Sequence, residues 1–209
     1  AGLLSNWRNA LNDRPVLVAA STHPGEENLV LDAFKKLRNG PAHPALILVP
    51  RHPERGEEIG ELIKATGLTY KRRSQDASIG FENDVLLADT IGEMGLWLRQ
   101  SDAIYLGGAN AENVGGHNPI EPLKLEKHVF MGPHSFNFAD LVDELKPHNA
   151  IVVGDTANEL AAFWSPFVDG GAVVSPDWFG VQQVFEASSS AMEITLTRLL
   201  TFLRGDDHA

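Results

Sequence analysis

Cysteine is absent from all 209 residues, which excludes disulfides and thiolate metal sites and fits a reducing compartment. Long apolar runs are absent too: none approaches the roughly 20 residues that a membrane-spanning helix needs. The stretch from Ala1 to Arg14 has neither the apolar core nor the cleavage site of a secretory signal, so direct membrane insertion is not expected and the chain reads as cytoplasmic. Positive charge is scarce. Seventeen Lys and Arg against 28 Asp and Glu give a formal charge of −11, which disfavours a broad nucleic-acid interface. The one dense basic run, Lys71-Arg72-Arg73, reads as a solvated strand end. Neither a dinucleotide G-x-G-x-x-G nor a phosphate-loop G-x-x-x-x-G-K-[ST] occurs, so hydride transfer and P-loop hydrolysis are not indicated. An initiator Met is also missing, compatible with a piece of a longer protein.

What is present is a chain 43% hydrophobic and 22% charged, enough for one sizeable core, and residues 1–209 read as a single domain. Val16 to Ala20 and Ala45 to Val49 are short, wholly apolar runs of the kind buried on both faces of a parallel sheet. Helical spacing follows each: Val30, Ala33, Phe34 and Leu37 before the stop at Gly40-Pro41, then Ile59, Leu62, Ile63 and Thr66 before Gly67. Further strands are expected at Leu68 to Lys71, Val85 to Ala88, Ala103 to Leu106, Val129 to Met131 and Ile151 to Val153. Helices are expected near Gly92 to Gln100, Pro119 to Leu125 and Phe138 to Leu145. This alternation predicts an α/β fold, a doubly wound, mostly parallel sheet with helices on both faces. The tail, Thr156 to Arg204, shows no strand pattern; Thr156 and Glu159 form a capping-box signature, and Ile194 to Leu203 is apolar enough for a terminal helix.

In such sheets ligands bind beyond the carboxyl ends of the strands, and four segments there carry chemistry. Ser21-Thr22-His23-Pro24-Gly25-Glu26 offers hydroxyls and free N–H groups at a helix start, suited to an anion or simply to capping. Arg51 and His52, stiffened by Pro50 and Pro53, suit a phosphate or carboxylate. The loop around Gly92, Glu93 and Met94 can present backbone to a base edge while an apolar side chain covers its face, or is an ordinary turn. In Gly107 to Pro122, Gly115-Gly116 allows close backbone approach and Pro119 suits a first helical turn. Glu121 would then accept two ribose hydroxyl protons or merely complement the helix dipole. His117 and Glu121, four apart, also have the spacing of metal ligands, yet no second His or Cys pair matches them and no metal site is assigned.

Taken in order, AlaSerThrHisProGlyGluGlu from Ala20, ValProArgHisProGluArg from Val49, GlyGluMetGlyLeuTrp from Gly92, GlyGlyHisAsnProIleGluPro from Gly115 and GlyProHisSerPheAsnPhe from Gly132 resemble the carboxyl-terminal half of the Kdo (3-deoxy-D-manno-octulosonic acid) transferases. That family has the two-domain GT-B glycosyltransferase fold, each half Rossmann-like. The resemblance implies binding of CMP-Kdo as donor, with a lipid A precursor as acceptor at the cytoplasmic side of the inner membrane in Gram-negative lipopolysaccharide biosynthesis. It implies no cofactor. Residue by residue it places Ser21, Thr22, Arg51 and His52 near the donor's phosphate and carboxylate. Gly92, Glu93 and Met94 would meet the nucleotide, Gly115, Gly116, His117 and Asn118 the phosphate and sugar, and Glu121 the ribose. The general base and the acceptor site would belong to an amino-terminal half not found here, so donor binding without turnover is expected. The alternatives are another GT-B donor domain, from a UDP-sugar transferase or a sugar-nucleotide epimerase, and a non-catalytic nucleotide-sugar-binding module.

Overall fold

The computed structural model describes residues 2–11, 14–76 and 82–188. Seven strands form one sheet: β1 (Val16–Thr22), β2 (Ala45–Pro50), β3 (Tyr70–Arg72), β4 (Val85–Leu87), β5 (Ala103–Leu106), β6 (His128–Met131) and β7 (Ile151–Val153). Their order is β3-β4-β2-β1-β5-β6-β7, and every pairing is parallel. All seven expected strands are found. The direction of winding reverses between β1 and β5, which opens a crevice at their carboxyl ends.

Each central strand buries both faces, and alternate residues sort into two cores. Val16, Val18, Ala20, Ile47 and Ile104 belong to one; Leu17, Ala19, Leu46, Leu48 and Tyr105 belong to the other. The second core is covered by α2 (Glu26–Leu37), α3 (Gly56–Ala65) and α7 (Ala157–Asp169), through Phe34, Ile63 and Trp164. The first is covered by α1 (Gly2–Ala10), α4 (Met94–Gln100), α5 (Ile120–Lys124) and α6 (Ala139–Leu145), with Val181 from the helical residues 178–188.

The expected α2 and α3 spacings hold, and Gly67 ends α3 in the left-handed region at φ 77°. The capping box at the start of α7 is complete: Thr156 Oγ1 accepts from the Glu159 N–H at 3.2 Å, and Glu159 Oε2 accepts from the Thr156 N–H at 3.1 Å. One helix was not expected. In α1, Trp7 is fully buried edge-on to Trp97 of α4, ring centroids 5.1 Å apart. The terminal helix expected over 194–203 lies outside the described residues.

The basic run differs from a solvated strand end. Arg72 pairs with Asp89 and, at 2.8 Å, with Glu57; Lys71 lies 3.2 Å from Asp76. Arg73 lies 2.8 Å from Glu93, its guanidinium 5.7 Å from the Trp7 ring centroid. Acidic neighbours on α3 and after β4 turn the run into a seam of ion pairs along the edge of the sheet.

The close passage of β6 beneath the β5 loop requires Gly132, because a Cβ there would collide with the Ala109 carbonyl. Replacing Gly132 with Ala is expected to cost about 1–3 kcal/mol. Urea unfolding measures it, with backbone NMR changes centred on residues 107–110.

Candidate functional site

The crevice is held together by a buried carboxylate. Glu26, 2% exposed at the start of α2, accepts from the N–H groups of His23 at 2.9 Å, Gly108 at 2.8 Å and Asn110 at 3.0 Å, and from the Tyr105 hydroxyl at 2.9 Å. Burial foremost, together with the Glu26 charge, pushes the Tyr105 phenol far above its usual range, so it remains a donor. Glu27, also fully buried, binds Arg55 at 2.7 Å. Gly107 makes the junction sterically possible, since a Cβ there would strike the Ser21 carbonyl and lie 2.8 Å from Glu26 Oε2. The start of α2 is not capped by Ser21 or Thr22; Gly25 at φ 94° is the N-cap and makes no side-chain bond.

Above this junction lie three histidines. His23 and His117 meet edge to edge in nearly one plane, centroids 5.0 Å and planes 17° apart, with Nε2 to Nε2 at 2.8 Å. His52 stands edge-on to His23, with centroids 5.8 Å apart, beside exposed Arg51, whose N–H donates to the Thr22 carbonyl at 3.0 Å. Burial is the main cause lowering both His23 and His117 below the ordinary 6.5; Glu26 opposes it in each, and Arg51 and His52 reinforce it. At neutral pH both rings are therefore uncharged, one Nε2 donating and the other accepting.

Arg51, His52 and His117 thus converge on His23, and Ser21, in the left-handed region at φ 55°, sets its carbonyl against Gly107. Thr22 does not join them. It is fully buried as the last residue of β1, with a hydroxyl that meets no partner, and is shut off from a ligand.

The second part of the mouth is formed by the loops after β4 and β5. A Cβ on Gly95 would lie 3.7 Å from Glu121 Oε1, so the segment at Gly92 to Gly95 and the first turn of α5 are neighbours. Gly92 is exposed at φ 86°, next to Ile91, 88% exposed. Met94 opens α4 and packs partly against the core. The Glu93 carboxylate is already engaged, by Arg73 and by the Thr90 hydroxyl, and Arg73 foremost holds it below the usual carboxylate range. Only the Glu93 backbone remains for a ligand.

The glycine loop closes on the protein itself. Gly115 and Gly116, at φ 85° and 82°, are buried, and a Cβ on Gly115 would reach within 2.5 Å of Phe136 and of the Asn137 amide. The Gly116 N–H donates to the Gly108 carbonyl at 2.9 Å and Asn137 donates its N–H to Gly115 O at 3.1 Å. The close approach that these glycines permit is that of Phe136 and Asn137, which gives Gly132 to Phe138 a structural role. Asn118 spends its Oδ1 on the Ile120 N–H at 2.9 Å, which opens α5. Glu121, exposed in the first turn of α5, is free to face a ligand. Among the described residues no group of three His, Cys, Asp or Glu side chains is arranged to hold a metal ion.

Sequence reasoning passed over His23 and Glu26. Their signal was the pair His23 and Glu26 three residues apart with Gly25 between, which reads locally as an ordinary helix start.

No family model matches the chain. It is 37% identical over 149 residues to the 3-deoxy-D-manno-octulosonic acid transferase of Haemophilus influenzae, covering 71% of this chain and 35% of that protein. The transferase of the same name from Bordetella pertussis is 40% identical over 138 residues, 64% of this chain and 32% of that protein. The chain therefore spans about a third of the length of the curated relatives it matches. The crystal structure of the C-terminal CMP-Kdo binding domain of WaaA from Acinetobacter baumannii superposes with a TM-score of 0.74 and 32% identity, over 87% of this chain and 98% of that one.

Two outcomes follow from this geometry. Because the folded state holds His23 and His117 below 6.5, the unfolded chain takes up protons first, so stability is present above that pH and falls as pH drops below it. His128, lowered chiefly by burial, adds to the effect. Urea midpoints measured on either side of about pH 6.5 should show the decline, and a shallower one in His117→Gln. Glu26→Gln sets an amide N–H₂ against fixed N–H donors, with an expected cost of about 1.5–3 kcal/mol in the same assay.

Proposed function

This chain belongs to the Kdo transferase family, and from that premise we propose that it binds the donor sugar nucleotide, CMP-Kdo, at the mouth between β1 and β5. The observation that carries the reading is the convergence, at the reversal of the sheet, of Arg51 and three imidazoles, with Glu121 an uncommitted carboxylate on the helix that follows His117. Arg51 and His52 suit the phosphate and the Kdo carboxylate, because a guanidinium presents parallel donors to a planar anion. His117 and the amide of Asn118 suit the sugar and phosphate. Glu121 accepts from the ribose hydroxyls, and the backbone around Gly92 and Glu93, with Met94, meets the cytosine.

In the whole enzyme an acceptor hydroxyl of the lipid A precursor attacks the anomeric carbon as the bond to phosphate breaks, with inversion in one displacement. The remaining length seen in the relatives supplies the acceptor site and the base, at the cytoplasmic face of the inner membrane. These 209 residues alone bind donor without turning it over. No helix among the described residues is long and apolar enough to cross a membrane. CMP-Kdo carries a single phosphate, so fixed hydrogen-bond donors suffice to hold it and no divalent ion is needed for binding.

Titration with CMP, CMP-Kdo and UDP-sugars, followed residue by residue by NMR, tests the reading. CMP and CMP-Kdo should shift Gly116, His117 and Glu121; a response to uridine nucleotides but not to CMP would overturn it. Glu121→Ala should weaken CMP about tenfold while leaving inorganic phosphate binding nearly unchanged. Equal losses would contradict the ribose role.

A further inference from the structure

The three imidazoles of the mouth differ in kind. His52 is exposed on the rim, its Nδ1 3.4 Å from Glu54, whereas His23 and His117 are half-buried and share one hydrogen bond between Nε2 atoms 2.8 Å apart. In the neutral pair one ring donates from Nε2 and keeps a free lone pair on its Nδ1. A single added proton enters at that Nδ1 and leaves the shared bond intact, now charge-assisted. A second would set two N–H groups against each other. The pair therefore has room for one charge.

The groups facing it define when that charge is held. Arg51 and His52, after β2, oppose it, as does burial. Glu26 and Glu27, at the start of α2, favour it, but both carboxylates are committed, one to four donors and the other to Arg55. Glu121, the uncommitted carboxylate on α5, is not among the charges that act most on either ring. A phosphate beside Arg51 would supply an anion that is.

We propose that the His23–His117 pair is a one-proton acceptor that becomes charged when a phosphate monoester occupies the mouth, so that nucleotide binding takes up a proton. This rests on the reading that the mouth receives the phosphate of a sugar nucleotide. The donor's phosphodiester bears one negative charge. When the bond from the anomeric carbon to the phosphate oxygen breaks, the electron pair stays on that oxygen and CMP departs with a second charge. The acceptor's oxygen forms the new bond to carbon, and its proton goes to a base outside this chain. A charged pair favours the departing monoester over the bound diester, so its contribution grows as the reaction proceeds.

The test uses the 209-residue chain and CMP. Calorimetry in two buffers of different ionisation enthalpy counts the protons taken up, and imidazole nitrogen NMR locates them. At about pH 7.5 uptake should approach one proton per CMP, with the nitrogen shifts of His23 and His117 moving to the charged form. Affinity should fall by up to about tenfold per pH unit above neutrality. His23→Gln and His117→Gln should abolish uptake and flatten that slope, whereas uptake persists in His52→Gln. CMP binding with no proton uptake, or with His23 and His117 nitrogens unmoved in the wild-type chain, overturns the proposal and leaves the donor reading standing. Failure to bind CMP at all overturns both.

Discussion

The Glu26 carboxylate is the constraint on which the site depends. Burying a carboxylate is costly unless its lone pairs are met, and here three backbone N–H groups and a phenol meet them. Those donors come from the loop after β1, from β5 and from the turn after β5. One side chain therefore fixes the two walls of the crevice against each other. The pairing of His117 with His23 through their Nε2 atoms follows, because His23 is held by its own N–H and His117 by its N–H to the Gly107 carbonyl at 3.3 Å.

The same economy extends outward. Gly107 is small so that Glu26 reaches the turn, Gly108 so that the His117 ring lies against it, and Gly115 so that Phe136 packs beneath. Glu93 holds Arg73, and Arg73 covers Trp7, so an edge of the mouth is tied to the packing of α1 on α4. Nearly every polar group that shapes the mouth has a partner in the chain itself. Under the proposed reading a ligand meets the groups left over, Arg51, His52 and Glu121, beside the paired His23 and His117. Such preorganisation lowers the ordering cost of binding.

The fold was legible because its strands are short and buried on both faces, so Val16 to Ala20 and Ala45 to Val49 stand out as unbroken apolar runs bounded by glycine, proline or polar residues. The sheet order was not, since strand order is decided by crossovers that span the whole chain. Helix α1 escaped because its single strong anchor, Trp7, is buried by a distant partner, Trp97, rather than by a periodic stripe. Within the candidate site the sequence pointed to loops that the fold brings to one crevice, and misjudged how some of their side chains are used. Glycine pairs look alike whether a ligand or a phenylalanine approaches them, and Thr22 and Glu93 look available until the fold buries one and pairs the other. His23 and Glu26 became visible only when β1 and β5 were set side by side.

Charge adds a last constraint. The chain carries a formal −11, so its long-range field repels an anionic sugar nucleotide. Screening confines that repulsion to about 8 Å at physiological ionic strength, leaving the outcome to groups in direct contact. Glu26 and Glu27, the carboxylates that act on the histidine pair, are spent on internal donors, while Arg51 stands exposed beside the imidazoles. Under the proposed reading any attraction of an anionic ligand is local and directional, set by donors held in place by the fold.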